Sequence, residues 1–395
     1  MTELASSPPS LAARGPRREL LALGALLTVG AVVRCWIGFT NRGVAYDMDS
    51  IYIVAQLLAT HPLHVYAALR WPYPGGFFPI LLACRGIAHG LGVPLWAVVK
   101  VPTIFADVGI AAALWWGLGR LGATQAKRWA ATVLVALGPS MVLISGFHGQ
   151  IDASAILPAL VAVIVWQLDW GRRGLIAGVL IGLGASVKTV PLFMVLALLP
   201  TARSRREAVS LLVPAVAIPF LSVLPFLIAD HHQTVFSLSA NKGIPGWGGL
   251  SLLAQPGLVH GWQDLRVVHL TGLTQFLYDR QNLIVGVAVL ATGAYAFYRR
   301  MPPVPAAALI WLVVYATNPD MAFQYFVWGI PFFLLAGRPV AVAALQAALA
   351  LPAAELYFRF AVPSLQRLYV PLMDLVWAGL AVAAVLALSS RWLTR

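Results

Sequence analysis

Asp47 and Asp49 stand either side of Met48, just past the first apolar stretch of a chain with only 14 acidic residues in 395. A carboxylate fixed beside a membrane can take the proton from a weak nucleophile such as a sugar hydroxyl, the task of a general base. Either residue suits that chemistry. Asp49 is also placed to cap a helix expected from Ser50, which favours Asp47 as the base. Side chains two positions apart diverge on a helix, so the pair is expected in the loop that enters it.

Other polar groups interrupt apolar sequence farther on. His148, Gln150 and Asp152 sit at a turn between two apolar stretches, where Gly149 permits the bend. His148 can hydrogen-bond a phosphate or acceptor hydroxyls, or be an ordinary interfacial histidine. Gln150 and Asp152 can serve the same substrate, and Asp152 can instead cap the helix that follows. Lys188 can neutralise the phosphate of a lipid-linked substrate, or extend to the interface as long side chains do. Lys242, in the glycine-rich segment through Trp247 to Gly249, and Arg266 are weaker candidates for the same work. Lys100 and Asp107 lie seven positions apart on one helix face, facing a cavity or pairing with other helices. Cys35 and Cys84 lie in apolar sequence and read as small core residues rather than a disulfide or metal pair.

Composition says what kind of element must hold these groups. The chain is 60% apolar and 10% charged, with a mean hydropathy of +0.82. A soluble domain exposes far more charge, so the class is a multi-pass helical membrane protein. The short alternating strands of an outer-membrane barrel do not occur. The net charge of +13 is spread over short loops and not gathered on one face, which argues against a nucleic-acid surface. Those loops, with arginines or lysines near 14–18, 120–128, 172–173, 203–206, 299–300, 338 and 391–395, mark the cytoplasmic side.

From these markers the topology follows. Residues 1–18 form a polar, disordered cytoplasmic tail, and residues 19–395 form a single membrane domain. Residues 20–39 span as a retained signal anchor. The first outer loop, 40–94, holds two helices at 49–69 and 76–90, read as interfacial, although a hairpin across the membrane satisfies the same parity. His61, His64, Arg70, Arg85 and His89 break their apolar runs. Further spans are expected at 95–118, 129–146, 153–168, 174–187, 191–200, 208–229, 282–298, 304–317, 324–335, 339–354 and 371–389, with an outer loop at 230–280. The fold class is therefore all-α, a polytopic bundle of about twelve spans in the cell membrane with both termini cytoplasmic. The polar groups named above, together with Asn318-Pro319-Asp320, fall on the outer face. The D-x-D spacing also matches metal binding by nucleotide-sugar transferases, but cytoplasmic nucleotide sugars cannot reach that face.

Three segments make the chain resemble the GT-C superfamily of integral-membrane glycosyltransferases, which use polyprenyl-phosphate-linked sugars. These are Tyr46-Asp47-Met48-Asp49; Phe147-His148-Gly149-Gln150-Ile151-Asp152 followed by Lys188-Thr189-Val190-Pro191; and Asn318-Pro319 leading to Gln324-Tyr325-Phe326-Val327-Trp328. The second is similar to the His-Phe-Gln-Tyr-type segment of dolichyl-phosphate-glucose-dependent enzymes, with Gly149 in place of the aromatic residue. The third is similar to the Pro-Gln-Tyr-Phe-Leu-Trp segment of polyprenyl-phosphate-mannose-dependent enzymes.

The resemblance implies two interfacial helices after the first span, a site at the outer face, and an acidic base at Asp47 or Asp49. It implies transfer of a hexose, mannose or glucose, from the lipid donor to a hydroxyl of a lipid, glycan or protein acceptor, with inversion. Membrane lipids are then the surroundings, nucleic acid is no partner, and no cofactor is required, although a divalent metal stays open. Two rivals are weighed against this reading. A transporter or flippase would set its polar groups at the midplane and show internal repeats, whereas these groups lie at helix ends and no repeat is evident. A catalytically silent assembly subunit would tolerate loss of the acidic pair.

Overall fold

The computed structural model describes residues 16–239, 243, 245, 248–255, 270–359 and 363–389. The tail expected before Arg18 falls almost wholly outside them, as do Lys242, Trp247 and Arg266. Among the described residues the chain is helical throughout, with no strand. The first half comprises α1 (Pro16–Thr40), α2 (Ala45–Thr60), α3 (Phe78–Leu91), α4 (Leu95–Val98), α5 (Lys100–Arg120), α6 (Gln125–Ala136), α7 (Pro139–Val142), α8 (Asp152–Gln167) and α9 (Arg173–Val187). The second half comprises α10 (Phe193–Leu198), α11 (Arg205–Ala229), α12 (His231–Ser239), α13 (Leu250–Ala254), α14 (Gly272–Tyr298), α15 (Pro303–Thr317), α16 (Phe326–Leu335), α17 (Pro339–Ala354) and α18 (Pro363–Ser389).

Among the described residues seven helical segments are long and apolar enough to cross a membrane: Arg17–Thr40, Leu95–Arg120, Gln125–His148, Arg205–Ala229, Gly272–Tyr298, Pro339–Phe358 and Pro371–Ser389. Shorter apolar helices, among them α8, α9, α15 and α16, fill the interior, and α15 and α8 bury most of their side chains. An all-α polytopic bundle is the architecture. Two helix starts differ widely from the sequence reading: α18 begins eight positions before 371, and α14 ten before 282, because its polar first turns contain no breaker after Gly272.

Close approach between helices is bought with glycine at one seam. Gly174, Gly178 and Gly182 recur every four residues along α9 and face α11. A Cβ at Gly178 would sit 2.6 Å from Pro214 Cγ, and one at Gly174 2.8 Å from the Glu207 carbonyl oxygen. Elsewhere the helices are joined by buried charge. Arg34 of α1 is fully buried and donates to Asp107 Oδ2 (3.3 Å), Ser145 Oγ (3.1 Å), Val135 O (2.6 Å) and the carbonyl of Ala136. This answers the question raised by Asp107, which pairs across helices. Lys100 is equally buried and ties carbonyls: its Nζ donates to Asn41 O (2.7 Å) and Phe147 O (3.1 Å).

A second apolar core lies beneath α2 and α3. Met48, Ile51, Val54, Ala55 and Leu58 of α2 pack there with Tyr66, Trp71, Phe77 and Phe78. The segment between α2 and α3 is pinned by its own backbone carbonyls, with Tyr66 Oη donating to Tyr73 O (2.8 Å) and Ser237 Oγ of α12 donating to Trp71 O (3.1 Å).

Candidate functional site

Asp47 lies in the first turn of α2, which begins at Ala45 and not near Ser50. The apolar stripe Val44, Met48, Ile51, Ala55, Leu58 has helical spacing and buries throughout, so packing draws the helix start back past both carboxylates. Asp49 therefore caps nothing. It lies roughly 200° around the helix from Asp47 and pairs with Arg42 at an exposed position, so the two carboxylates form no common ligand pair. Asp47 turns the other way, into the bundle.

There Asp47 Oδ2 accepts two hydrogen bonds, from His148 Nε2 (2.6 Å) and from Gln150 Nε2 (2.6 Å). His148 is 1% exposed, whereas the Asp47 side chain keeps 30% of its surface accessible. Tyr357 Oη lies 2.9 Å from His148 Nδ1. With Nε2–H donating to the carboxylate, Nδ1 accepts from the tyrosine hydroxyl, giving an ordered line from Tyr357 through His148 to Asp47. Asp47 Oδ1 has no hydrogen-bond partner among the described residues, so one oxygen is held and the other is open.

The chain geometry behind this is unusual. α7 runs into one turn of π-helix, Leu143–His148, closed by Gly149 at φ 80°. A Cβ at Gly149 would lie 2.9 Å from both Lys100 Cε and Met48 Cε, so glycine is required by space as well as by backbone. The wide turn lets His148 and Gln150 face the same carboxylate. Ser145 within it is held by Arg34, and Phe147 by Lys100. Tyr357 comes from a second π-turn, Glu355–Arg359, and the two turns meet through Phe147, whose ring lies 5.3 Å from that of Tyr357 and 5.1 Å from that of Phe358. Single π-turns recur where a side chain must be re-aimed.

Lys188 and Asp152 form the next layer. Lys188 Nζ lies 2.8 Å from Asp152 Oδ1, with side chains 3% and 0% exposed, and 3.5 Å from Gln150 Oε1. Trp328 Nε1 also donates to Asp152 Oδ1. Lys188 does not extend to an interface, and Asp152 opens α8 without capping it, because both charges are spent on each other. Gln150 bridges the layers: its amide group donates to Asp47 and its carbonyl oxygen accepts from Lys188. Aromatic rings close around the ammonium, with Tyr73 at 4.7 Å and Trp328 at 5.9 Å, and Tyr325 stacks on Trp328 at 4.0 Å. Burial holds the Tyr73 hydroxyl well above the usual phenol range, with the charges of Asp152 and Asp47 adding to the effect.

Of the sequence candidates, Asp47, His148, Gln150, Asp152 and Lys188 converge, Asp49 does not, and Lys242 and Arg266 lie outside the described residues. Asn318-Pro319-Asp320 forms a separate knot: Ser251 N donates to Pro319 O (2.9 Å), Met321 N to Gly248 O (3.0 Å), and Ser251 Oγ to Asp320. Three site residues had no role in the sequence reading. Trp328 closes the third segment quoted above. Tyr73 lies in Trp71-Pro72-Tyr73-Pro74, whose prolines signal a stiff segment. Tyr357 carries no signal of spacing or composition.

The family model of glycosyltransferase family 87 matches residues 71–318 of the chain. A polyprenol-phosphate-mannose-dependent alpha-(1-2)-phosphatidylinositol pentamannoside mannosyltransferase of Mycobacterium tuberculosis (strain CDC 1551 / Oshkosh) is 28% identical over 219 residues, 53% of this chain and 47% of that protein. The chain thus spans about half the length of this curated relative.

Proposed function

The chain belongs to glycosyltransferase family 87, a family of GT-C-type membrane glycosyltransferases, and from that premise we propose that it transfers a hexose, mannose in particular, from a polyprenyl-phosphate donor to a hydroxyl of a lipid or glycan acceptor at the outer face of the membrane. The name of the mannosyltransferase relative supports the donor and the sugar. The arginine pattern of the loops supports the face. The observation that carries the mechanism is Asp47, with Oδ2 fixed by His148 and Gln150 and Oδ1 open.

Asp47 Oδ1 accepts the proton of the acceptor hydroxyl as its oxygen bonds to the anomeric carbon. The bond from that carbon to the phosphate oxygen breaks, its electron pair stays with the phosphate, and polyprenyl phosphate leaves. One displacement inverts the centre, so a β-linked donor gives an α-linked product. His148 and Gln150 fix the carboxylate for this step, and preorganised partners of this kind cost no rearrangement during reaction. Lys188 and Asp152 hold Gln150 in turn. General-base assistance contributes about 10²–10⁴-fold.

The test is transfer of labelled sugar from synthetic polyprenyl-phosphate mannose and glucose by the purified enzyme. Asp47→Ala is expected to lose about 10²–10⁴-fold in rate and Asp49→Ala to stay within about threefold, as exposed pairs contribute little. Consumption of no donor under any acceptor condition ends the transferase reading. Full rate in Asp47→Ala ends the assignment of the base.

A further inference from the structure

Among the described residues, Asp47 and Asp152 bring two carboxylates to the cluster, and the ammonium of Lys188 is committed to Asp152 at 2.8 Å inside the protein. A phosphodiester entering beside Asp47, and leaving as a phosphate monoester with a further negative charge, needs a cation whose hydrogen bonds are unspent.

Arg70 meets that need. It follows the 3₁₀ turn Pro62–Ala68 and a leucine, Leu69, held in the left-handed region at φ 53°. A side chain other than glycine is strained there, and such strain persists only where surrounding structure enforces it. The Arg70 guanidinium lies over the ring of Tyr46, 4.5 Å from its centre, and Tyr46 directly precedes Asp47. Arg70 Nη1 is shielded from water and has no hydrogen-bond partner among the described residues. Among the described residues no ion pair engages Arg70, whereas Arg42 is exposed and paired with Asp49 and Arg85 donates to Gln56 of α2. The same short segment reaches the far side of the cluster, because Tyr73, three residues on, sets its ring 4.7 Å from Lys188 Nζ. Ser237 and Tyr66 pin the carbonyls of Trp71 and Tyr73, so the segment is a fixed edge of the site.

We infer that Arg70 binds the phosphate of the polyprenyl-phosphate donor and holds it as it departs. The inference rests on the donor class of the proposed function. Tyr46 engages the guanidinium without taking a hydrogen bond from it, and a planar fork of donors matches two phosphate oxygens. During transfer the proton goes to Asp47 and the electron pair of the broken bond to the phosphate, where Arg70 compensates the added charge.

The experiment is equilibrium binding of a short labelled polyprenyl monophosphate, and of the uncharged polyprenol of equal length, to the full chain in lipid nanodiscs. Arg70→Gln is expected to weaken phosphate binding about 10- to 100-fold, the loss of a charge-assisted hydrogen bond, with polyprenol binding unchanged as the control for folding. Arg70→Lys should recover part of the loss, because charge returns without the fork. Phosphate binding by Arg70→Gln at the wild-type level overturns the proposal, as does an equal loss for phosphate and alcohol. Asp47→Asn, measured alongside, keeps the two readings apart. It is expected to bind the phosphate at least as tightly as wild type while failing in transfer, and full transfer by that variant would remove the base without touching Arg70.

Discussion

Replacing Lys188 by Met should destabilise the fold far more than it weakens donor binding. At 2.8 Å and an effective dielectric of about 20, the attraction between Lys188 and Asp152 is about 6 kcal/mol. Desolvation of two charges with almost no exposed surface offsets much of it, so the intact pair adds little net stability. Removing one partner leaves the other charge buried, at a cost of about 3–5 kcal/mol. Lys188→Met and Asp152→Asn should each lower the melting point by roughly 5–10 °C, on the scaling for large domains. The double variant, with neither charge of the pair left, should recover most of that loss. The assay is a double-mutant cycle on melting in nanodiscs, with donor KM measured for each variant below its transition. In the double variant donor KM should stay within about threefold, since Arg70 and not Lys188 holds the phosphate. The reasoning fails if Lys188→Met melts like wild type while donor KM rises tenfold or more, for the ammonium would then be spent on substrate and not on Asp152.

Two further outcomes follow from the geometry. Tyr357→Phe keeps the ring packing but removes the donor to His148 Nδ1 (2.9 Å). A net loss of about 1 kcal/mol should appear as roughly a fivefold drop in kcat with unchanged melting, and an unaltered kcat would show that the imidazole needs no second anchor. Gly76→Ala would set a Cβ 2.6 Å from Ser186 Cβ and 2.7 Å from its carbonyl carbon. Overpacking at rigid backbone costs about 1–3 kcal/mol, so melting should fall, and by less in a Gly76→Ala, Ser186→Gly double variant; a single variant as stable as wild type would contradict the packing of this seam.

Much of the fold was legible because apolar runs and basic loops are coarse signals that survive averaging. The ends of α8, α9 and α15 lie within a residue or two of the boundaries read from the sequence. The start of α2 was misread because Asp49 before Ser50 is good capping chemistry, while the stripe from Val44 to Leu58, which decides the matter, requires counting burial on residues that look like loop. The convergence of Asp47, His148, Gln150 and Lys188 was legible as shared sidedness, but their roles were not. Lys188 looked like a free cation because its partner, Asp152, is 36 positions away. Tyr357 was invisible for the same reason at greater range, 209 positions from His148, in a π-turn that no periodicity announces.

The polar clamp on α1 also sets an order of assembly. Few residues of α1 are buried by apolar packing, and Arg34 is the fully buried charged side chain that ties it to the bundle. That side chain must enter the bilayer long before its partners exist, since Asp107 follows by 73 residues and Ser145 by 111. At about 5–20 residues per second of synthesis, roughly 5–20 s pass between the translation of Arg34 and that of the turn it holds. An arginine at the centre of a span costs about 2.5–3.5 kcal/mol on insertion scales and less toward its end, where Arg34 lies, and the leucine-rich stretch before it offsets that cost. The first helix therefore waits in lipid with a charge unmet, and the His148 turn is drawn to it when it arrives. The residue that fixes the site at maturity is the one that makes its helix the hardest to leave alone during birth.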